Sequence, residues 1–149
     1  MSVRFLKLNA TTNEDLKVIS AHLQDAITQP RNIVHLKKNR IFLVQFNRFM
    51  WEDVEKGVFR KNKRILCILK LENVLSVYSK NLNQKKQDHF LDFLAIESKL
   101  LSDKSYEIIL HFAGDKVIKI NSEVIDCFLD DQGDPWETKN KPKHDIFDE

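Results

Sequence analysis

The sequence holds three glycines, two cysteines, two tryptophans and no apolar run longer than five residues, and each scarcity removes a class of function. Gly57, Gly114 and Gly133 lie far apart, so no loop can cradle a phosphate through adjacent backbone amides. Dinucleotide-binding and P-loop chemistry are thereby excluded. Cys67 sits inside "ILCIL" and Cys127 among apolar neighbours, which marks both as small buried hydrophobes and not as a disulfide pair. A thiol so placed is a poor nucleophile, because desolvation disfavours its thiolate. The five histidines never recur at metal-ligand spacing, neither cysteine has a second one nearby, and no Gly-x-Ser-x-Gly elbow occurs. No metal, cofactor or nucleophilic catalyst is expected. The longest apolar run, residues 65–69, falls far short of the roughly 20 residues of a membrane-spanning helix. The opening "MSVRFLKLNATTNEDL" lacks the basic start, apolar centre and small-residue site of a secretory signal, so a cytoplasmic location is expected.

What the chain does have is ample material for one core. At 149 residues, 42% apolar and 31% charged, it fits a single globular domain over residues 1–138, with a loose polar tail over 139–149. The net charge of +2 hides a division. Residues 1–75 carry 14 Lys/Arg against 7 Asp/Glu, and residues 76–149 carry 10 against 15. The positive excess gathers in residues 37–64 and the negative in residues 123–149, so a basic surface can meet nucleic acid or be covered by the chain's own acidic segment.

"VRFLKL" reads as a short strand. "TTNEDLKVISAHLQDAI" then predicts a helix over residues 14–28, capped by Thr12 or Asn13, with Leu16, Ile19, Leu23, Ala26 and Ile27 on one face. "NIVHL" and "RIFLVQF", split by "KKN", predict a hairpin closed by Asn39 in the left-handed conformation. Five further strands follow: "RILCILKL", "NVLSVYS", "FLDFLAI", "YEIILHF" and "KVIKI", the last two joined by a two-residue turn at Gly114 and Asp115. "SEVIDCFLDD", with Ser122 as cap and Val124, Ile125, Phe128 and Leu129 on one face, predicts a closing helix that Gly133 and Pro135 stop.

The expected fold class is α+β: a bent antiparallel sheet or partly open barrel of about seven strands, capped by the carboxy-terminal helix and extended by an amino-terminal strand and helix. The order of elements is similar to that of pleckstrin-homology-like domains. The alternative is a two-layer α+β sandwich with both helices on one sheet face. "ISAHLQDA" (residues 19–26), "NRFMWE" (residues 47–52) and "PWET" (residues 135–138) resemble the landmarks of a family of short alphaproteobacterial proteins classed as a domain of unknown function. That resemblance implies a bacterial cytoplasmic protein and carries no activity with it.

Three sets of residues are candidates for function. His22 and Asp25 lie three apart on the first helix, where a histidine can bond a carboxylate or act as a base, or can simply pack at the edge of the apolar face. Lys37, Lys38 and Arg40 in one loop, and Arg60, Lys61, Lys63 and Arg64 in the next, can attract phosphates if both loops share one end of the sheet. The alternative is a solvated edge that discourages aggregation. Both tryptophans sit in Trp-Glu pairs, Trp51–Glu52 and Trp136–Glu137, and Trp and Arg are favoured at interface hot spots. Arg48, Trp51, Glu52 and Trp136 therefore either face a partner, or Phe49 and Trp51 pack inward while Arg48 pairs with Glu52 or with the acidic carboxy-terminal stretch. The leading expectation is a non-enzymatic protein-binding or adaptor module, and self-association is possible. A nucleic-acid surface over residues 37–64 is the alternative. A small-ligand protein or enzyme built on His22, Asp25 and Arg48 is a weaker one.

Overall fold

A computed structural model describes residues 5–55, 62–83 and 85–139. Strand β1 (Lys7–Ala10) leads into helix α1 (Asn13–His22), followed by the two-residue β2 (Ile27–Thr28), β3 (Ile33–Leu36), β4 (Ile41–Phe49) and the short helix α2 (Trp51–Glu55). Strands β5 (Lys63–Leu71), β6 (Val74–Lys80), β7 (Leu91–Leu100), β8 (Tyr106–Phe112), β9 (Lys116–Ser122) and β10 (Cys127–Glu137) complete the described chain. Every strand pairing is antiparallel, and the order is β1-β10-β5-β4-β2-β7-β8-β9-β6, with β3 also on β4. The fold is α+β, as expected, and its sheet is open. Two wide sections, β3-β4-β5-β10-β1 and β7-β8-β9-β6, are joined in the ladder by β2, where Ile27 pairs with Asn47 on one side and Asp92 on the other.

One contiguous core joins these sections. Phe42, Val44 and Phe46 of β4 alternate inward, and Phe46, Phe93 and Phe112 pack with ring centroids 5.5–6.4 Å apart. Helix α1 lays Leu16 and Ile19 onto this core, with Leu23 and Ala26 just beyond its end. The Thr12 hydroxyl accepts from the Asp15 amide at 3.1 Å, and the Asp15 carboxylate accepts from the Thr11 amide at 3.1 Å.

Four details differ from expectation. Helix α1 stops at His22, short of Thr28, because Asp25 adopts a left-handed conformation (φ 61°) and donates its amide to the Phe93 carbonyl. Backbone pairing with β7 there outweighs another helical turn. In the β3–β4 hairpin Arg40, not Asn39, is left-handed (φ 58°). The β8–β9 connection turns at Gly114 and Asp115, both left-handed (φ 82° and 56°), but Phe112 pairs with Lys116, so the loop holds three residues and not the expected two.

The fourth difference is the largest: the predicted closing helix over residues 122–131 is absent, and Cys127–Glu137 is a long strand between β1 and β5. Cys127, Leu129 and Asp131 alternate into the interior, a period of two that pairing on both edges rewards over a single helical face. Ser122, expected as a cap, ends β9 and turns its hydroxyl to the Val124 carbonyl at 2.7 Å. Gly133 (φ 70°) lies within a register shift between Gln132 and Trp136, so it bulges the strand instead of stopping a helix. The pleckstrin-homology-like order had rested on that helix. Residues 140–149, most of the expected tail, lie outside the described residues.

Candidate functional site

Parity along β4 sets the site. Phe42, Val44 and Phe46 point inward, so two residues further Arg48 does too, and its side chain is fully buried. A buried guanidinium must spend its donors inside the protein. Arg48 donates Nε and Nη2 to Asp131 of β10, both at 2.8 Å, and Nη1 and Nη2 to Glu52 of α2 at 2.9 and 2.7 Å. A fifth bond, from Nη1 to the Phe49 carbonyl, is 3.4 Å long. Each carboxylate thus receives a paired grip, and all five guanidinium donors are used.

Burial pushes the Arg48 guanidinium down, but its bonds to Asp131 and Glu52 outweigh this and hold it above its ordinary value. Burial likewise raises the Glu52 carboxyl, and the hydrogen bonds and charge of Arg48 reverse it, leaving the group below its ordinary 4.5. Asp131 also accepts the Leu6 amide at 2.8 Å. The cluster therefore ties α2, β4, β10 and the start of the chain together. Arg48 faces the protein's own acids, and no part of it is offered to a partner.

Around this anchor the other candidates gather. The Trp51 indole donates to the Gln24 carbonyl at 2.9 Å and lies 4.6 Å from the Phe49 ring, which pins α2 against the end of α1. His22 is close enough for its charge to act on Glu52, and Asp25 acts in the same way on Arg64. Arg64 donates to the Asn47 side chain at 2.8 Å, sits 5.9 Å from the Phe49 ring centre and pairs across the strands with Trp136. Burial holds the Arg64 guanidinium below its ordinary value, against the opposing charges of Asp25 and Asp92. Arg48, Trp51, Glu52, Trp136, His22 and Asp25 thus share one end of the sheet.

The basic candidates divide. Lys37, Lys38 and Arg40 lie in the β3–β4 turn, where Arg40 forms an ion pair with Glu123. Lys63 and Arg64 begin β5, opposite the far end of β4, since Phe49 pairs with Arg64 and Phe42 with Leu71. Eight strand steps separate these ends, roughly 26 Å at strand rise, so the two groups do not form the single loop cluster that a phosphate surface would use. Arg60 and Lys61 lie outside the described residues.

The outer side of the β3-β4-β5-β10-β1 section carries what the sequence reading missed. Directly paired residues share a face, so Val34, Leu43, Lys70 and Phe128 form one row, Gln45, Ile68 and Asp130 the next, then Asn47, Leu66 and Gln132. Phe49, Arg64 and Trp136 make the last. Val34, Leu66 and Trp136 are each about 40% exposed, Leu43, Ile68 and Phe128 are half-buried, and the Lys70 ammonium lies 4.7 Å from the Phe128 ring centre. The available signal was "RILCILKL", a strand apolar on both faces in a sheet with one face open. Asp131 was missed as well, because a helix over residues 122–131 would not have placed it opposite Arg48.

Cys67 and Cys127 are buried, and burial pushes each thiol up to about 12. Among the described residues no three His, Cys, Asp or Glu side chains stand close enough to hold a metal ion, and no helix is long and apolar enough to cross a membrane.

These features define an open antiparallel α+β protein with a buried arginine–carboxylate anchor beneath an apolar sheet face. Residues 6–144 match the family described as protein of unknown function (DUF2948), and the chain belongs to that family. No curated protein and no solved structure matches it.

Proposed function

We propose that this protein is a non-enzymatic protein-binding module of the bacterial cytoplasm, and that its contact surface is the outer face of the β3-β4-β5-β10-β1 section. The observation that carries the reading is the exposed apolar patch of Val34, Leu66 and Trp136, continued by Leu43, Ile68 and Phe128 and bordered by Gln45, Asn47 and Gln132. Contiguous apolar surface with a polar rim is the usual signature of a protein contact. Trp136 beside Arg64 supplies the residue types that dominate interface energy. In this reading Arg48, Glu52 and Trp51 brace the end of the face from beneath, and His22 and Asp25 border it.

Affinity purification of the full chain from its source, with and without nuclease, tests the reading. One protein should be recovered reproducibly in both arms, and a bait carrying Leu66→Glu should lose it. Recovery only of nucleic acid that nuclease removes would refute the reading and favour the surface over residues 37–64. Retention of the same protein by the Leu66→Glu bait would refute the assigned face.

A further inference from the structure

The β7-β8-β9-β6 section has an outer side of its own. Leu110, Phe112 and Ile118 turn into the core, so their neighbours His111 and Val117 face outward, and Lys80, Val117, His111 and Ala95 form one row across four strands. This row borders a cleft of about 470 Å³ that also takes in the β8–β9 turn. Its lining combines Lys80, Lys116, His111 and Asp115 with the apolar Leu94 and Val117, and Leu94 is 51% exposed. Residues 76–149 hold more acids than bases, yet Lys80 and Lys116 meet here, Lys119 stands one row away, and Lys85 and Lys86 follow in the β6–β7 loop. The nearby acids are engaged elsewhere. Asp88 pairs with Arg31 at 3.0 Å, and Glu97 faces the His111 ring at 3.7 Å. Among the described residues no carboxylate lies within ion-pair distance of Lys80, Lys116 or Lys119. The Lys116 ammonium instead lies 2.7 Å from Nε2 of His89, itself a base. An ammonium only donates, so that nitrogen must accept, and the contact holds a positive charge with no counter-charge.

We infer that this cleft binds a small phosphate monoester, with Lys80 and Lys116 on the phosphate and the organic body over Leu94 and Val117. A phosphate monoester brings about −1.5 to −2 of charge near neutral pH and three strong acceptor oxygens. It thereby gives Lys116 the anionic acceptor that the His89 ring is not, and gives Lys80 a partner. Asp115 is the one acid of the lining and is outweighed by these two lysines. His111, facing Glu97, forms the wall and not a phosphate ligand. The site goes beyond the protein contact assigned above and shares no residue with it.

The test titrates the isotope-labelled full chain with phenyl phosphate and, separately, with inorganic phosphate. Saturable amide shifts should appear at Lys80, Leu94 and residues 114–117 with phenyl phosphate, at a Kd on the order of 1 mM. Inorganic phosphate should bind about fivefold more weakly, because it leaves the apolar floor uncovered. Lys80→Gln and Lys116→Gln change side chains outside the core, and each should weaken phenyl phosphate about fivefold. Absence of saturable shifts at roughly 10 mM phenyl phosphate would overturn the inference. Unchanged affinity in both variants would overturn it too, as would shifts of equal size at the Lys37–Arg40 turn, the mark of unspecific screening. Vesicles containing phosphatidic acid then identify the source. Co-sedimentation that phenyl phosphate competes away places the monoester on a lipid headgroup, and lack of it leaves a free metabolite, the site standing in both cases. A ten-nucleotide oligothymidylate of phosphodiesters that binds more tightly than phenyl phosphate through Lys80 and Lys116 would overturn the inference in favour of nucleic acid. The purification with Leu66→Glu reads a different face, so the two readings fail separately.

Discussion

Replacing Arg48 with methionine removes a buried cation and leaves the fully buried Asp131 side chain facing an apolar group. Breaking a buried ion pair from one side costs about 3–5 kcal/mol, most of it the penalty of the stranded charge. Glu52, 20% exposed, can recover water and adds little to that figure. For a chain of this length each kcal/mol lowers the midpoint by about 2–4 °C, so Arg48→Met should melt about 6–20 °C below the wild type. Removing both charges together restores part of this loss. In Arg48→Met/Asp131→Leu both charges are gone, and the remaining deficit is chiefly the Leu6 amide, which loses its acceptor at about 1 kcal/mol. The double variant should therefore be more stable than Arg48→Met alone by about 2 kcal/mol, a coupling read by urea denaturation with a common slope. Refutation would come from an Arg48→Met protein within about 1 kcal/mol of wild type, or from two losses that simply add.

Further outcomes follow from the same structure. Glu52 has a depressed carboxyl, so the stability it contributes is complete above its unfolded value near 4.5 and is lost as pH falls through the lower folded value. Glu52→Gln should flatten the acid limb of a stability–pH curve, and an unchanged limb would contradict the pairing. With both thiols buried and pushed up to about 12, iodoacetamide at pH 8 should label neither cysteine in the native protein and both in urea; rapid native labelling would show an open core. Gly133→Ala meets no atom within 4 Å but keeps a φ of 70°, so it should cost about 1–2 kcal/mol through backbone strain alone, checked by denaturation. Thr12→Ala removes the α1 cap and should cost about 1 kcal/mol by the same assay.

Much of the architecture was written in local patterns. The alternation of Phe42, Val44 and Phe46, the capped and one-sided helix at residues 13–22, and the Gly114–Asp115 turn each state their conformation within a few residues. The same alternation placed Arg48 on the buried side of β4, so its inward direction was legible. The identity of its second acid was not, because Asp131 lies 83 residues away and meets Arg48 only after β10 slots between β1 and β5. Residues 124–129 carry apolar side chains at spacings that suit a helix, while Cys127, Leu129 and Asp131 suit a strand. Pairing from both neighbours decided for the strand, and neither neighbour is local. Helix α2 is five residues long and stands on the Arg48–Glu52 and Trp51–Gln24 bonds rather than on any periodicity. The site residues, in turn, were found as residue types, while the face they brace became visible only when four strands aligned their outward rows.

Hydrogen exchange on the protein bound to its captured partner tests the assigned contact face most directly. Slowed exchange in β4, β5 and β10 around Leu43, Leu66–Lys70 and Phe128–Trp136, with the outer edge of the free protein as reference, is the predicted footprint. A footprint confined to the β3–β4 turn, or unchanged exchange across all of these strands in the complex, would contradict it.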